Sequence, residues 1–362
     1  MLPNRIAGLS VLTLFLTLPT CSLAQSTTVT GVSRAANPAI SANVLYLADT
    51  SFGGPEEGEG REDEHAEAGD EHVEGAVGAR VQELELRLTS FVDPHVKADM
   101  TLSTHSVADV EVEEAFVTTL GLPANLGLKA GKFLAAFGKH NPLHTHRYPF
   151  VERPLAHEDI FGEEGLNEVG IELSWLLPME WYSEIVGGAY NGDNPGLFQS
   201  EDEEDVAFLG RLRNVFDLSD TTTLEVGVSG LTGREEESGS RSNIAGADLT
   251  LKWSPFETQR YKALTLQTEY LRADVRNGVR AGGHGFAQFR LSRRWWVQGS
   301  YDWLDEDGDT TSQARALVAY VPTEFQALRL QYGATFHGEE DTDHRVSLQY
   351  SFTIGSHPAH AY

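Results

Sequence analysis

Val346-Ser347-Leu348-Gln349-Tyr350-Ser351-Phe352-Thr353-Ile354-Gly355 is the stretch on which the fold turns. Laid out as a strand, Val346, Leu348, Tyr350, Phe352 and Ile354 share one face, and Ser347, Gln349, Ser351 and Thr353 share the other, because successive strand side chains point oppositely. The same two-residue period recurs elsewhere. Leu84, Leu86 and Leu88 alternate with Glu83, Glu85 and Arg87; Val169, Ile171, Leu173 and Trp175 with Gly170, Glu172 and Ser174; and Ala247, Leu249, Leu251 and Trp253 with Asp248, Thr250 and Lys252. No comparable stretch has the 3.6-residue period of an amphipathic helix.

Working outward, sixteen such segments begin near residues 38, 79, 94, 109, 125, 166, 181, 205, 221, 243, 262, 284, 295, 312, 326 and 344. Short connections, such as Asp93-Pro94, Pro178-Met179-Glu180, Ser292-Arg293-Arg294 and Pro322-Thr323-Glu324, alternate with longer ones over 51–78, 138–165, 191–204, 233–242, 273–283, 304–311 and 337–343. An even strand number, with short turns at one end and long loops at the other, predicts an all-β, transmembrane antiparallel β-barrel of about 16 strands. Aromatic positions fit two interfacial rings. Trp175, Trp181, Trp253, Trp295 and Phe325 fall near short turns, while Tyr46, Tyr190, Tyr270, Tyr301, Trp303 and Phe336 fall near long loops.

A secreted β-sandwich would also need one apolar face per strand. The opposite faces argue against it. They carry Glu83, Glu85, Asp99, Glu111, Glu113, Glu172, Glu225, Asp248, Glu269 and Asp302, together with Arg87, Lys97, Lys129, Arg211, Arg213, Lys252, Arg290, Arg315 and Arg329. A sixteen-stranded barrel is wide enough to keep water inside, so the inner face is expected to be a wet wall rather than a packed core.

The N-terminus reads as a cleaved signal peptide over 1–24, with Arg5, the apolar run Ile6 to Leu18, and Ser22-Leu23-Ala24 before Gln25. The barrel is then expected over 25–362. Cys21 is the only cysteine of the 362 residues, so the exported chain would carry no thiol chemistry. Leu18-Pro19-Thr20-Cys21 fits a lipoprotein cleavage site poorly. With 27 Lys+Arg against 54 Asp+Glu, the formal charge of -27 excludes a basic nucleic-acid binder.

Much of that charge sits in loops. Glu56 to Glu74 holds ten acidic residues, one Arg, His65 and His72. Further acids stand at 201–205, 235–237, 305–309 and 339–343. A negative mouth concentrates cations, most strongly at low salt. The connection 138–165 is the candidate constriction loop, carrying His140, His144, His146, Arg147, His157, Glu158 and Asp159, stiffened by Pro142, Pro149 and Pro154. Imidazoles at His140, His144 and His146, with carboxylates at Glu158, Asp159, Glu163 and Glu164, offer donors suited to zinc or another divalent cation. The loop pair His65 and His72 offers a weaker set, suited to collective capture. No G-x-S-x-G, H-E-x-x-H or P-loop motif is present, so no enzyme is expected.

The segment Ala130-Gly131-Lys132-Phe133-Leu134-Ala135-Ala136-Phe137-Gly138-Lys139 resembles the G-x-F-x-x-x-F-G strand of the phosphate-selective porin O/P group. The preceding Val110 to Thr119, VEVEEAFVTT, resembles an acid-rich strand of related outer-membrane proteins. The resemblance implies a sixteen-stranded, usually trimeric porin in the Gram-negative outer membrane, with lipid and lipopolysaccharide around it. The sequence has no dense Lys or Arg run in the constriction, so phosphate selectivity is not carried over. The expectation is diffusion of small hydrophilic solutes with a preference for cations, divalent metals among them. A metal-capturing surface protein and an outer-membrane enzyme are the rivals. A plugged metal receptor of 22 strands needs far more chain.

Overall fold

The computed structural model describes residues 38–53, 78–106, 109–198, 206–234, 241–255, 261–275, 278–338 and 342–355. The signal segment, the acidic stretch with His65 and His72, the acids at 201–205, 235–237 and 339–341, and the tail with His357 and His360 lie outside the described residues.

The strands are β1 (Ala39–Phe52), β2 (Gly78–Asp93), β3 (Val96–Ser106), β4 (Asp109–Thr119), β5 (Leu126–Leu134), β6 (Asn167–Leu176), β7 (Tyr182–Tyr190) and β8 (Ala207–Ser219). They continue as β9 (Thr222–Arg234), β10 (Arg241–Trp253), β11 (Ala263–Val275), β12 (Gly278–Arg290), β13 (Trp295–Glu306), β14 (Asp309–Thr323), β15 (Gln326–His337) and β16 (Asp343–Gly355). Each pairs antiparallel with its chain neighbours. β1 also pairs β16, from Ser41 opposite Gly355 to Phe52 opposite His344, so the sixteen-stranded sheet closes and leaves no edge.

Fifteen strand starts lie within three residues of those expected from alternation. The exception is β12, which starts at Gly278 rather than near 284, because Gly282, Gly283 and Gly285 have no side chains to alternate. The long connections expected over 273–283 and 304–311 are a second departure. The strands run on instead, and β13 joins β14 through Asp307-Gly308, both at positive φ (52° and 101°). That is the primed two-residue turn whose twist suits a hairpin. Strands of 13 residues exceed the roughly 9–11 needed to cross a bilayer at a tilt, so they project beyond it.

Apolar side chains cover the outside. Ile171, Leu173, Leu249, Leu330 and Leu348 are exposed there, as are Trp175, Trp181, Trp295 and Phe325 towards the short turns and Tyr46, Tyr270, Tyr301 and Phe336 towards the opposite end. Tyr190 does not belong to this ring. It is 2% exposed, and its hydroxyl donates to Glu172 Oε1 at 2.7 Å on the inner side.

The wet inner wall also needs correction. Leu209, Leu231, Ile244 and Leu271 of the inner face form one buried cluster with Phe133, Phe137, Ala156, Ile160, Phe161, Leu197 and Phe198. Leu47, Phe286, Trp296 and Leu317 form another with Phe150 and Val151. The barrel has a packed core because the β5–β6 connection, joined by Leu197 and Phe198 after β7, brings apolar side chains inside it.

Candidate functional site: the inward loop and the cavity beneath it

The β5–β6 connection leaves and returns through one neck. Ala135 N–H donates to Leu166 O at 2.9 Å. The Asn141 amide donates to Ala135 O and Leu166 O, and its oxygen accepts Leu166 N–H at 2.8 Å. Asn141 is fully buried, so it replaces the water that these backbone groups would otherwise need. Gly138, at φ 60°, makes the turn inward, and a Cβ there would overlap the Glu269 carboxylate.

From the neck the loop crosses the lumen and meets many strands. Lys139 Nζ lies 2.6 Å from Glu225 of β9. Arg329 of β15 donates to Tyr148 O and Pro149 O. Val151 N–H donates to Gln331 Oε1 at 3.0 Å, and Arg345 Nη1 reaches Glu152 Oε1 at 2.8 Å. The seven-residue helix α1 (Leu155–Phe161) then packs on β11, β12 and β13. Buried Arg315 pairs with Asp302 and also donates to Glu152 O at 3.3 Å. Removing one partner of such a buried pair costs about 3–5 kcal/mol.

The loop histidines separate into two groups instead of forming one donor set. His144 and His146 face β2 and β4. His144 Nδ1 is 3.1 Å from Glu113 Oε1, its Nε2 is 3.0 Å from Glu114 Oε2, and His146 Nδ1 is 2.8 Å from Glu85 Oε2. Burial works against a charged His144. Hydrogen bonds to Glu113 and Glu114, with the charge of Glu85, outweigh it and hold its pKa well above the ordinary value.

His140 joins His157 of α1 and His284 of β12. Ring centroids lie 4.9 Å apart for His140 and His157, 5.6 Å for His157 and His284, and 5.8 Å for His140 and His284. Glu269 of β11 faces them, with His157 Nε2 at 3.4 Å. Burial, followed by the neighbouring imidazoles, pushes the His140 pKa well below its ordinary value, so this ring is neutral.

The other constriction candidates divide as well. Arg147 lines the cavity below the loop, where burial lowers its pKa. Asp159 faces Arg280 Nη1 at 3.6 Å, while Glu158 is exposed. Burial pushes the Asp159 carboxyl up, against the pull of the Arg280 charge.

Among the lumen charges, Glu83 and Glu85 are buried beneath the loop, and Arg87 and Lys97 share Asp99 at 2.9 and 2.8 Å. Lys129 lies over the Phe116 and Phe133 rings. Arg211 pairs Asp248 at 2.9 Å, Arg213 pairs Glu184 at 3.1 Å, and Arg290 stands over the Trp296 ring. Glu111 is exposed.

Strict alternation assigns Glu111 and Glu113 to the lumen and so passes over Glu114. The β3–β4 register slips there: Thr101 opposes Glu114 but Leu102 opposes Val112. The bulge lets neighbouring carboxylates of Glu113 and Glu114 both reach His144. Sequence reasoning also passed over Leu197 and Phe198, which turn inward where Gly192, Asp193 and Asn194 donate backbone N–H groups to the Glu168 carboxylate. The Tyr190-Asn191-Gly192-Asp193-Asn194-Pro195-Gly196 run was the available turn signal.

Below the loop lies a cavity of about 710 Å³, reaching to Lys252, Ser254 and Ala263 at the short-turn end of the barrel. Lys139, Arg147, Arg211, Arg213, Lys252 and Arg329 line it, against the single carboxylate of Glu184. Glu225 and Asp248 neutralise part of this charge through Lys139 and Arg211.

Comparison with known proteins places the fold. No family model matches the chain. An uncharacterised protein of Aquifex aeolicus (strain VF5) is 29% identical over 350 residues, spanning 82% of this chain and 73% of that one. Pseudomonas putida OprB, in its high-pH structure, superposes with a TM-score of 0.58 at 8% identity, covering 88% of this chain and 94% of that one. The anion-selective porin from Comamonas acidovorans gives 0.56 at 11%, over 87% and 100%. The trimer form of OmpT, an outer-membrane protein of Vibrio cholerae, gives 0.54 at 7%, over 87% and 100%. These likenesses show the fold, a closed outer-membrane-type barrel.

Proposed function

We propose that the chain is a porin of the Gram-negative outer membrane, a homotrimer seated among lipid and lipopolysaccharide, through which small hydrophilic solutes diffuse. The observation that carries this reading is the charged cavity of about 710 Å³ between the inward loop and the barrel wall. The loop sets the size limit and the wall charges set a field across the path. No residue is assigned a catalytic role. Of the histidines that the enzyme reading would draw on, His344 meets Tyr332 Oη through Nδ1 at 2.8 Å.

Cation preference rests on the acidic connections, of which Glu306, Asp307 and Asp309 are exposed at the β13–β14 turn and the stretches 56–74, 201–205 and 235–237 lie outside the described residues. The cavity supports a second reading, because its six basic side chains against Glu184 favour anions in the inner half. The name of the Comamonas porin, anion-selective, shows that this barrel type accommodates such a preference. Proteoliposome swelling with sugars of increasing size tests the channel itself: entry with a sharp size cut-off supports it, and exclusion of every sugar and ion contradicts it. Reversal potentials separate the selectivities. Exposed mouth charges are screened beyond about 10 Å at 0.1 M salt, so cation preference from them fades as salt rises. Anion preference that survives high salt assigns control to the cavity.

A further inference from the structure

Glu269 is a fully buried carboxylate with no Lys or Arg ion-paired to it among the described residues; its near neighbour is the imidazole of His157. Its oxygens accept the backbone N–H groups of Lys139 and His140, each at 3.1 Å, and His157 Nε2 stands 3.4 Å from Oε1. Around it stand His157 (0% exposed), His140 (1%) and His284 (5%). Both ring nitrogens of His140 and of His157, and Nε2 of His284, have no hydrogen-bond partner. Buried polar atoms rarely stay unsatisfied.

We propose that His157, Glu269 and His284, completed by His140, bind one divalent transition-metal ion of the zinc class, and that this ion staples the inward loop to the β11–β12 wall. One donor atom from each of the first three lies within 4.8 Å of the others. Tetrahedral zinc with bonds near 2.0–2.1 Å separates its donors by about 3.3 Å, so small side-chain rotations close the set. His157 Nε2 and Glu269 Oε1, at 3.4 Å, already stand at that spacing. Three imidazoles and one carboxylate suit zinc rather than calcium or magnesium, which prefer all-oxygen shells. In the other loop cluster both ring nitrogens of His144 are already bonded, to Glu113 and Glu114. The staple would make solute passage depend on metal supply, a property that the channel reading alone does not contain.

The test uses the refolded full-length mature chain carrying His65→Ala and His72→Ala, so that the first loop contributes no imidazoles. Cobalt(II) is the probe. One equivalent should survive dialysis and show the visible bands of four-coordinate cobalt, be displaced by zinc, and raise the melting temperature. His284→Asn and Glu269→Gln should each lose that equivalent, and His144→Asn should keep it. Glu269→Gln preserves side-chain shape, so it reports even if His284→Asn fails to fold. A folded parent chain that retains no cobalt, or folded His284→Asn and Glu269→Gln chains that retain it fully, would overturn the proposal. Conductance is not needed for this readout, so it stands apart from the porin reading.

Discussion

His144 of the inward loop presents Nε2 to Glu114 of β4 at 3.0 Å. The contact joins segments 30 residues apart and places a charged imidazole against the barrel wall. Its pKa is raised above the ordinary 6.5, so the folded chain binds a proton that the unfolded chain releases earlier. The stabilisation is complete below about pH 6.5 and is lost as pH climbs through the higher folded value. Thermal unfolding should therefore show a larger fall in melting temperature from neutral to alkaline pH for the wild type than for His144→Gln. Equal falls would remove the latch from the account.

Phe161 is 2% exposed and meets Phe137 edge-on, with ring centroids 5.2 Å apart. Phe161→Ala should cost about 3–5 kcal/mol of the loop's packing. Because that packing holds the loop in the lumen, limited proteolysis should cut within 138–165 faster than in the wild type, while the barrel remains intact. Unchanged cleavage would mean that the aromatic cluster does not anchor the loop.

Gly138→Ala acts at a different point. The residue would occupy positive φ, which costs a non-glycine residue about 1–2 kcal/mol, and its methyl group would overlap Glu269. The expected result is loss of the Lys139 and His140 backbone bonds to Glu269, read as rapid amide exchange at those two positions. Protection equal to the wild type would contradict the assigned turn.

Arg213 borders the cavity and pairs with Glu184 at 3.1 Å. Arg213→Glu changes the local charge by two units, so the reversal potential should move towards cations at every salt concentration. A change visible only at low salt would place selectivity at the mouth.

The barrel was legible because lipid demands one apolar side chain in two for sixteen strands, and that demand is written residue by residue. The inward loop was legible by its length and place. What it touches was not. Glu269 and His284 stand 129 and 144 positions from His140, and only ring closure of the sheet brings β11 and β12 to the loop. Glu114 was hidden by a bulge, which breaks the period on which the strand reading depends. Tyr190 was placed outside for the same kind of reason: at a strand end, an aromatic ring suits either the interface or the core, and its bond to Glu172 decides for the core.

The most direct test of the channel reading is conductance of the refolded mature chain in a planar bilayer, measured beside Phe161→Ala. The account predicts steady, stepwise conductance from the wild type and larger steps from the variant whose loop is loosened. A correctly folded barrel that carries no current in either form would contradict it.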